Sequence, residues 1–108
     1  MTQAGSDLAG RPASGEGLLD REGRIAALSR ALLAELGFRA EDDLSGLSVA
    51  SLWPLGDRPA VFEALARAAG GDAARLDLDL GYLTGVPASR EVVVEPAAHG
   101  ALALRLAG

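Results

Sequence analysis

EGLLDREGRIAALSRALLAELGF, residues 16–38, is the stretch on which the reading of the fold turns. Leu18 and Leu19 run into Asp20-Arg21-Glu22-Gly23. There an aspartate can accept hydrogen bonds from the backbone ahead, and a glycine takes the positive φ a tight turn needs. Ile25 to Leu28 supply a second short apolar run, which predicts a β-hairpin. Ser29 then stands where a helix wants an oxygen-bearing N-cap, and Gly37 where it wants a left-handed residue just past its end. Two strands leading directly into a short helix is an uncommon opening for a chain.

Outward from this stretch, residues 1–15 (MTQAGSDLAGRPASG) are rich in Gly, Ser and Ala and read as a loose arm, with one helical turn near Ser6–Ala9. On the other side, RAEDDLSG (39–46) is a polar loop or a single helical turn. Its consecutive acids Glu41, Asp42 and Asp43 point in different directions, so they read as a solvated loop and not as a metal cluster. Ser48 can cap a short helix through Leu52 and Trp53, stopped by Pro54. Asp57-Arg58-Pro59 opens the next helix, with Asp57 as expected N-cap and Pro59 in the first turn. Along it Val61, Phe62, Leu65, Ala66 and Ala69 form one apolar stripe that ends at Gly70-Gly71.

The period then changes. In RLDLDLGYL, Leu76, Leu78, Leu80 and Tyr82 alternate with Asp77, Asp79 and Gly81, the signature of a strand with one wet face through Tyr82. Gly85 and Pro87 mark a turn, EVVVE (91–95) is β-branched, 96–100 turn again, and ALALRL (101–106) alternates once more. The order is two strands, a helical middle and three strands, which predicts an α+β domain. A five-stranded antiparallel sheet with short helices on one face covers the apolar side such a sheet must bury.

The composition allows one domain with one small core: 108 residues, no cysteine, and apolar residues at 49%, much of it alanine. All ten basic residues are arginines, scattered from Arg11 to Arg105, and the net charge is −5. Phosphate backbones need a basic face, so a nucleic-acid partner is not expected. The absence of cysteine removes disulfides, thiolate nucleophiles and cysteine metal sites. No signal pattern opens the chain and no apolar run reaches the ~18 residues of a membrane span, so a cytoplasmic domain without membrane contact is the expectation.

The order of elements over residues 16–107 resembles the PAS family of sensor and interaction modules. The residues that carry the resemblance are Asp20-Arg21-Glu22-Gly23-Arg24-Ile25, similar to the family's D-x-x-G-x-I turn, then Ala31, Leu36-Gly37-Phe38 and Asp43-Leu44-Ser45-Gly46. Ser48–Pro54 and Val61–Gly70 look like the family's following two helices. Where members often carry asparagine at the start of the first helix, this chain has Ser29, which caps equally well. The resemblance implies domain bounds of 16–108 behind an arm at 1–15. It also implies a regulatory module of a bacterial sensor kinase or transcription regulator, working by small-ligand binding, dimerisation, or both. The alternative is an interaction domain with a filled core and no ligand.

Known ligand classes of the family can be weighed against the residues present. Cysteine-linked chromophores and flavin photochemistry through a cysteine are excluded, because there is none. Haem-binding members usually offer a histidine from the long helix, whereas the only histidine here, His99, falls in a turn. No cofactor is therefore expected. A non-covalent flavin remains open, with Trp53 and Tyr82 able to border a ring, although the one amide side chain, Gln3, lies in the arm. Should a cavity exist, the resemblance assigns its wall to Leu32, Leu36, Trp53, Phe62, Leu65, Leu78 and Tyr82, each of which can equally be plain core. If Phe62 is core, Phe62→Ala costs about 3–5 kcal/mol.

No enzyme is expected. Ser29 is explained as a cap, no nucleophile elbow surrounds a serine, and Asp77 and Asp79 read as the wet side of a strand. The last strand is the most suggestive surface. Leu102, Leu104 and Leu106 define one face, while Ala101, Ala103, Arg105 and Ala107 define another that is small and largely apolar where polar residues are the norm. Ala101, Ala103 and Arg105 are therefore the candidate interface, covered by a partner chain, a coiled-coil linker or the N-terminal arm, and the expected partner is a second copy in a homodimer or the effector domain of a larger signalling protein.

Overall fold

The opening hairpin forms as its residues dictate. In the computed structural model, which describes residues 15–107, β1 (Glu16–Leu19) and β2 (Ile25–Leu28) pair antiparallel. Asp20 turns the chain by accepting at Oδ1 from the backbone N–H of Glu22 and of Arg24, both at 2.9 Å. Gly23 sits at φ +85, and a Cβ there would stand 2.5 Å from a Leu65 methyl, so the turn both needs glycine and packs on the helix beyond.

Ser29 caps α1 (Arg30–Glu35) as expected: its Oγ accepts from Leu32 N–H at 3.1 Å and also from Gly15 N–H at 2.9 Å. Gly37 follows at φ +93 and releases the chain from the helix. Ser48 opens a 3-10 turn, Val49–Leu52, that carries Trp53 into the interior ahead of Pro54. A second 3-10 turn, Leu55–Asp57, runs straight into α2 (Arg58–Ala69). Asp57 is consequently already helical in its backbone (φ −96, ψ −10) and makes no side-chain cap, contrary to the expected role.

Beyond α2 lie β3 (Ala74–Asp79), α3 (Leu80–Thr84), β4 (Ser89–Pro96) and β5 (Leu102–Ala107). The strand expected to run through Tyr82 stops at Asp79. There the carboxylate accepts from Gly81 N–H at 2.8 Å and starts a helix in place of the expected strand residues Leu80, Gly81 and Tyr82. Local side chain-to-backbone bonding has overridden the alternating pattern.

The five strands form one antiparallel sheet in the order β2-β1-β5-β4-β3. β5 pairs with both β1 and β4, and so joins the first and second halves of the chain at the centre of the sheet. One face carries Leu19, Ile25, Leu78, Val92, Val94, Leu102 and Leu104, and against it pack Leu32 and Leu36 of α1, Trp53, and Val61, Leu65 and Ala68 of α2. The expected apolar stripe of α2 is turned. Val61, Ala64, Leu65 and Ala68 are buried against the sheet, whereas Phe62, Ala66 and Ala69 face outward. The loose arm foreseen at 1–15, with its turn near Ser6–Ala9, lies outside the described residues save for Gly15.

Candidate functional site

Five of the seven side chains expected to wall a cavity meet in one place. Leu32, Leu36, Trp53, Leu65 and Leu78 belong to a single buried cluster, and Trp53 within it is only 2% exposed. Trp53 is fixed at both polar ends: its indole N–H donates to the Asp77 carbonyl at 2.8 Å, and its own carbonyl accepts from Arg58 Nε at 3.0 Å. A tryptophan so tied packs the 3-10 turn onto β3.

Phe62 and Tyr82 are not part of this assembly. Phe62 is 52% exposed and Tyr82 49% exposed, which corrects their placement on a cavity wall. The reasons are geometric. Phe62 follows Val61 by one residue, about 100° around the helix, so burying Val61 turns Phe62 away. Leu80 and Tyr82 would share a face on a strand, but α3 sets them about 200° apart, so Leu80 enters the core and Tyr82 leaves it.

A cleft of about 240 Å³ opens elsewhere, beside the edge strand β2. Ile25, Ala26, Ala27, Leu28 and Leu33 form one wall and Asp42, Asp43, Leu44 and Ser45 the other. None of the seven expected wall residues lines it. The acidic loop is held by its own bonds: Arg39 N–H donates to Asp42 Oδ2 at 2.8 Å, and Ser45 donates to Asp43 Oδ1 from its N–H (2.9 Å) and its hydroxyl (2.7 Å). These two donors, the hydroxyl first, hold the Asp43 carboxyl below its ordinary value. Among the described residues no group of three metal-ligating side chains converges. The cleft is smaller than the ~300–1,000 Å³ typical of pockets for drug-sized ligands.

The other face of the sheet presents the candidate interface. Register places Ala27, Leu18, Ala103 and Glu95 in one row across β2, β1, β5 and β4, and Glu16, Arg105, Val93 and Arg75 in the next. Residues in a row share a face. Leu18, Ala27 and Ala103 are half-buried and apolar, while Val93 is only 2% exposed. Val93 is ringed by two ion pairs, Arg105 Nε to Glu95 Oε1 at 3.0 Å and Arg75 Nη1 to Glu91 Oε1 at 2.7 Å. The arginine stems flank it and the charged heads remain wet. Ala103 and Arg105 thus lie on this outer face of the central strand. Ala101 lies one residue before β5, in the turn where its N–H donates back to the Ala98 carbonyl.

Sequence reading missed the β2 cleft because neither wall is distinctive alone, and nothing local tells that the 42–45 loop folds beside an edge strand. His99 is exposed in the turn before β5, and no helix of the described residues is long and apolar enough to cross a membrane.

Solved structures share this architecture. A domain of a sensory box sensor histidine kinase/response regulator from Geobacter sulfurreducens superimposes with a TM-score of 0.75 at 19% identity, covering 97% of this chain and 92% of that one. The PAS domain of an HTR-like protein from Haloarcula marismortui gives 0.69 at 19% identity, with 96% and 88% covered. An RNA-binding light-oxygen-voltage receptor gives 0.65 at 20% identity, over 87% of this chain and 27% of that one. Among curated proteins none matches the chain. The family described as the PAS fold matches residues 15–101, from the first strand through the turn before the last. With the hairpin, the helical middle and the three-strand return in the same order, the chain belongs to the PAS family.

Proposed function

We propose that this chain is the interaction module of a signalling protein, that it works without a resident cofactor or catalysis, and that the outer face of its sheet is the output surface. The observation that carries the reading is the row Ala27, Leu18, Ala103, an apolar strip on the face opposite the helices. An antiparallel sheet with one packed face ordinarily turns polar side chains to water on the other. A segment with small apolar contacts, such as an amphipathic helix joining the module to an effector, fits the strip and meets the Arg105–Glu95 pair at its rim. Docking there would bias the effector between two states by its differential affinity for them. Likeness to a sensor histidine kinase domain and to an HTR-like PAS domain suits that role.

The ligand-free reading is supported by the close-packed fate of Leu32, Leu36, Trp53, Leu65 and Leu78, which leaves them as core. Native mass spectrometry with an absorption spectrum of the same sample tests it. A bare mass is the expected result, and a stoichiometric bound mass or a flavin band would overturn it.

The surface itself is tested by fusing residues 1–108 in place of the sensor domain of a histidine kinase and measuring autophosphorylation. Leu18→Glu and Ala103→Glu should each change kinase output several-fold while leaving the fold's circular dichroism intact. Output unchanged in both variants would remove the outer face from signalling.

A further inference from the structure

The exposed side of α2 carries a second apolar feature that no part of the fold covers among the described residues. Because the 3-10 turn at Leu55–Asp57 passes into α2 without a break (Asp57 φ −96, ψ −10; Arg58 φ −63, ψ −34), helical winding continues from Leu55 to Ala69. Leu55, Pro59, Phe62, Ala66 and Ala69 recur at steps of four and three residues, which line one side of a helix. All five are exposed, Leu55 at 75% and Phe62 at 52%. The opposite side, Val61, Ala64, Leu65 and Ala68, is spent on the sheet.

We propose that this ridge is a homodimer contact, in which α2 of one protomer packs antiparallel on α2 of a second copy about a two-fold axis near its middle. A closed two-fold contact requires a self-complementary patch, and the ridge is one. With the axis level with Leu65, Phe62 comes between Ala66 and Ala69 of the partner subunit, and Pro59 beside Ala69 of the partner subunit. Each meeting sets a bulky side chain against a small one. Charge follows the same symmetry. Glu63 and Arg67 lie on one flank of the ridge, both exposed, and neither takes part in any ion pair among the described residues. Reversal of the helix brings Glu63 beside the partner's Arg67, and its own Arg67 beside the partner's Glu63. A parallel pairing would set like charges together. The contact leaves both outer sheet faces free, so it is independent of what docks there.

A ridge of this length falls short of the ~800 Å² per partner of a standard stable interface, so a reversible, concentration-dependent dimer is expected. Analytical ultracentrifugation of the full 108-residue chain, from about 10 µM to about 1 mM, measures it. The mean mass should rise from that of an 11.0 kDa monomer towards twice that value. Phe62→Glu and Ala66→Arg, both at exposed positions and so compatible with folding, should each hold the chain monomeric. Glu63→Arg and Arg67→Glu should each weaken association, and the two together should restore it. A wild-type chain that stays monomeric throughout overturns the proposal. So does a dimer that survives Phe62→Glu and is lost with Ala103→Glu, which would move the contact to the sheet. Failure of the doubly reversed chain to recover association overturns the antiparallel register. A full chain that stays monomeric while a variant lacking residues 1–14 dimerises would put that segment on the ridge instead, against the proposal.

Discussion

At the scale of single residues, backbone conformation and hydrogen bonding decide what each side chain is for. His99 is the one non-glycine with positive φ (59°) among the described residues, in the turn that leads into β5. Left-handed backbone is tolerated by histidine better than by β-branched residues. His99→Val should therefore destabilise the fold by about 1–2 kcal/mol. In His99→Gly, relief of strain and the added freedom of the unfolded chain largely offset, so its urea midpoint should stay close to that of wild type. Equal midpoints for His99→Val and wild type would show that the turn does not hold this conformation in solution.

Asp43 shows the same logic with charge. The Ser45 hydroxyl and N–H favour its ionised form and depress its folded-state pKa. A depressed carboxyl contributes stability above its unfolded value, and that contribution is lost as pH falls through the folded one. Ser45→Ala removes the largest contribution, so the Asp43 titration followed by NMR should move up towards the ordinary carboxylate value. No movement would mean that the hydroxyl does not bond the carboxylate.

At the scale of elements, α2 is the informative case, because apolar residues supply more than one face. Its sequence stripe of Val61, Phe62, Leu65, Ala66 and Ala69 is broad enough to be oriented in more than one way, and the sheet takes the side centred on Val61, Leu65 and Ala68. In dilute solution Phe62→Ala should change stability by no more than about 0.5 kcal/mol, as for other exposed positions, whereas Leu65→Ala should cost about 2–5 kcal/mol. Denaturant melts of the two variants decide it, and a cost of several kcal/mol for Phe62→Ala would place that ring in the core. The same competition ended β3 early. Alternation of Leu76, Leu78, Leu80 and Tyr82 is a strand signal, yet one aspartate bonding Gly81 N–H turned its second half into α3. The first helix carried no such conflict: Ser29, the apolar positions behind it and Gly37 all agree, and α1 formed where the sequence placed it.

At the scale of the whole molecule, the sheet closes through its last strand. β5 lies between β1 and β4, so residues near the two ends of the described chain meet at the centre. Without it, β1 and β2 would be separated from β4 and β3, and Leu102 and Leu104 would leave the core. A chain ending at Ala101 should accordingly fail to give a cooperative thermal transition. A sharp melt from that shortened chain would mean that either half holds the core unaided.

Sequence alone determined the parts governed by neighbours along the chain. These are the Asp20–Gly23 turn, the Ser29 cap, the stop at Gly37, the two-strand, helix, three-strand order, and with them the PAS resemblance. Each depends on hydrogen bonds or backbone dihedrals spanning a few residues, and residue type fixes those directly. Tertiary structure decided which side of α2 the sheet buries, where β3 gives way to α3, and that Phe62 and Tyr82 face outward. It also decided that Val93 is buried beneath two ion pairs and that a cleft opens between β2 and the 42–45 loop. These outcomes come from competition between surfaces distant in sequence, where apolar area is buried against whichever partner the closed sheet brings near.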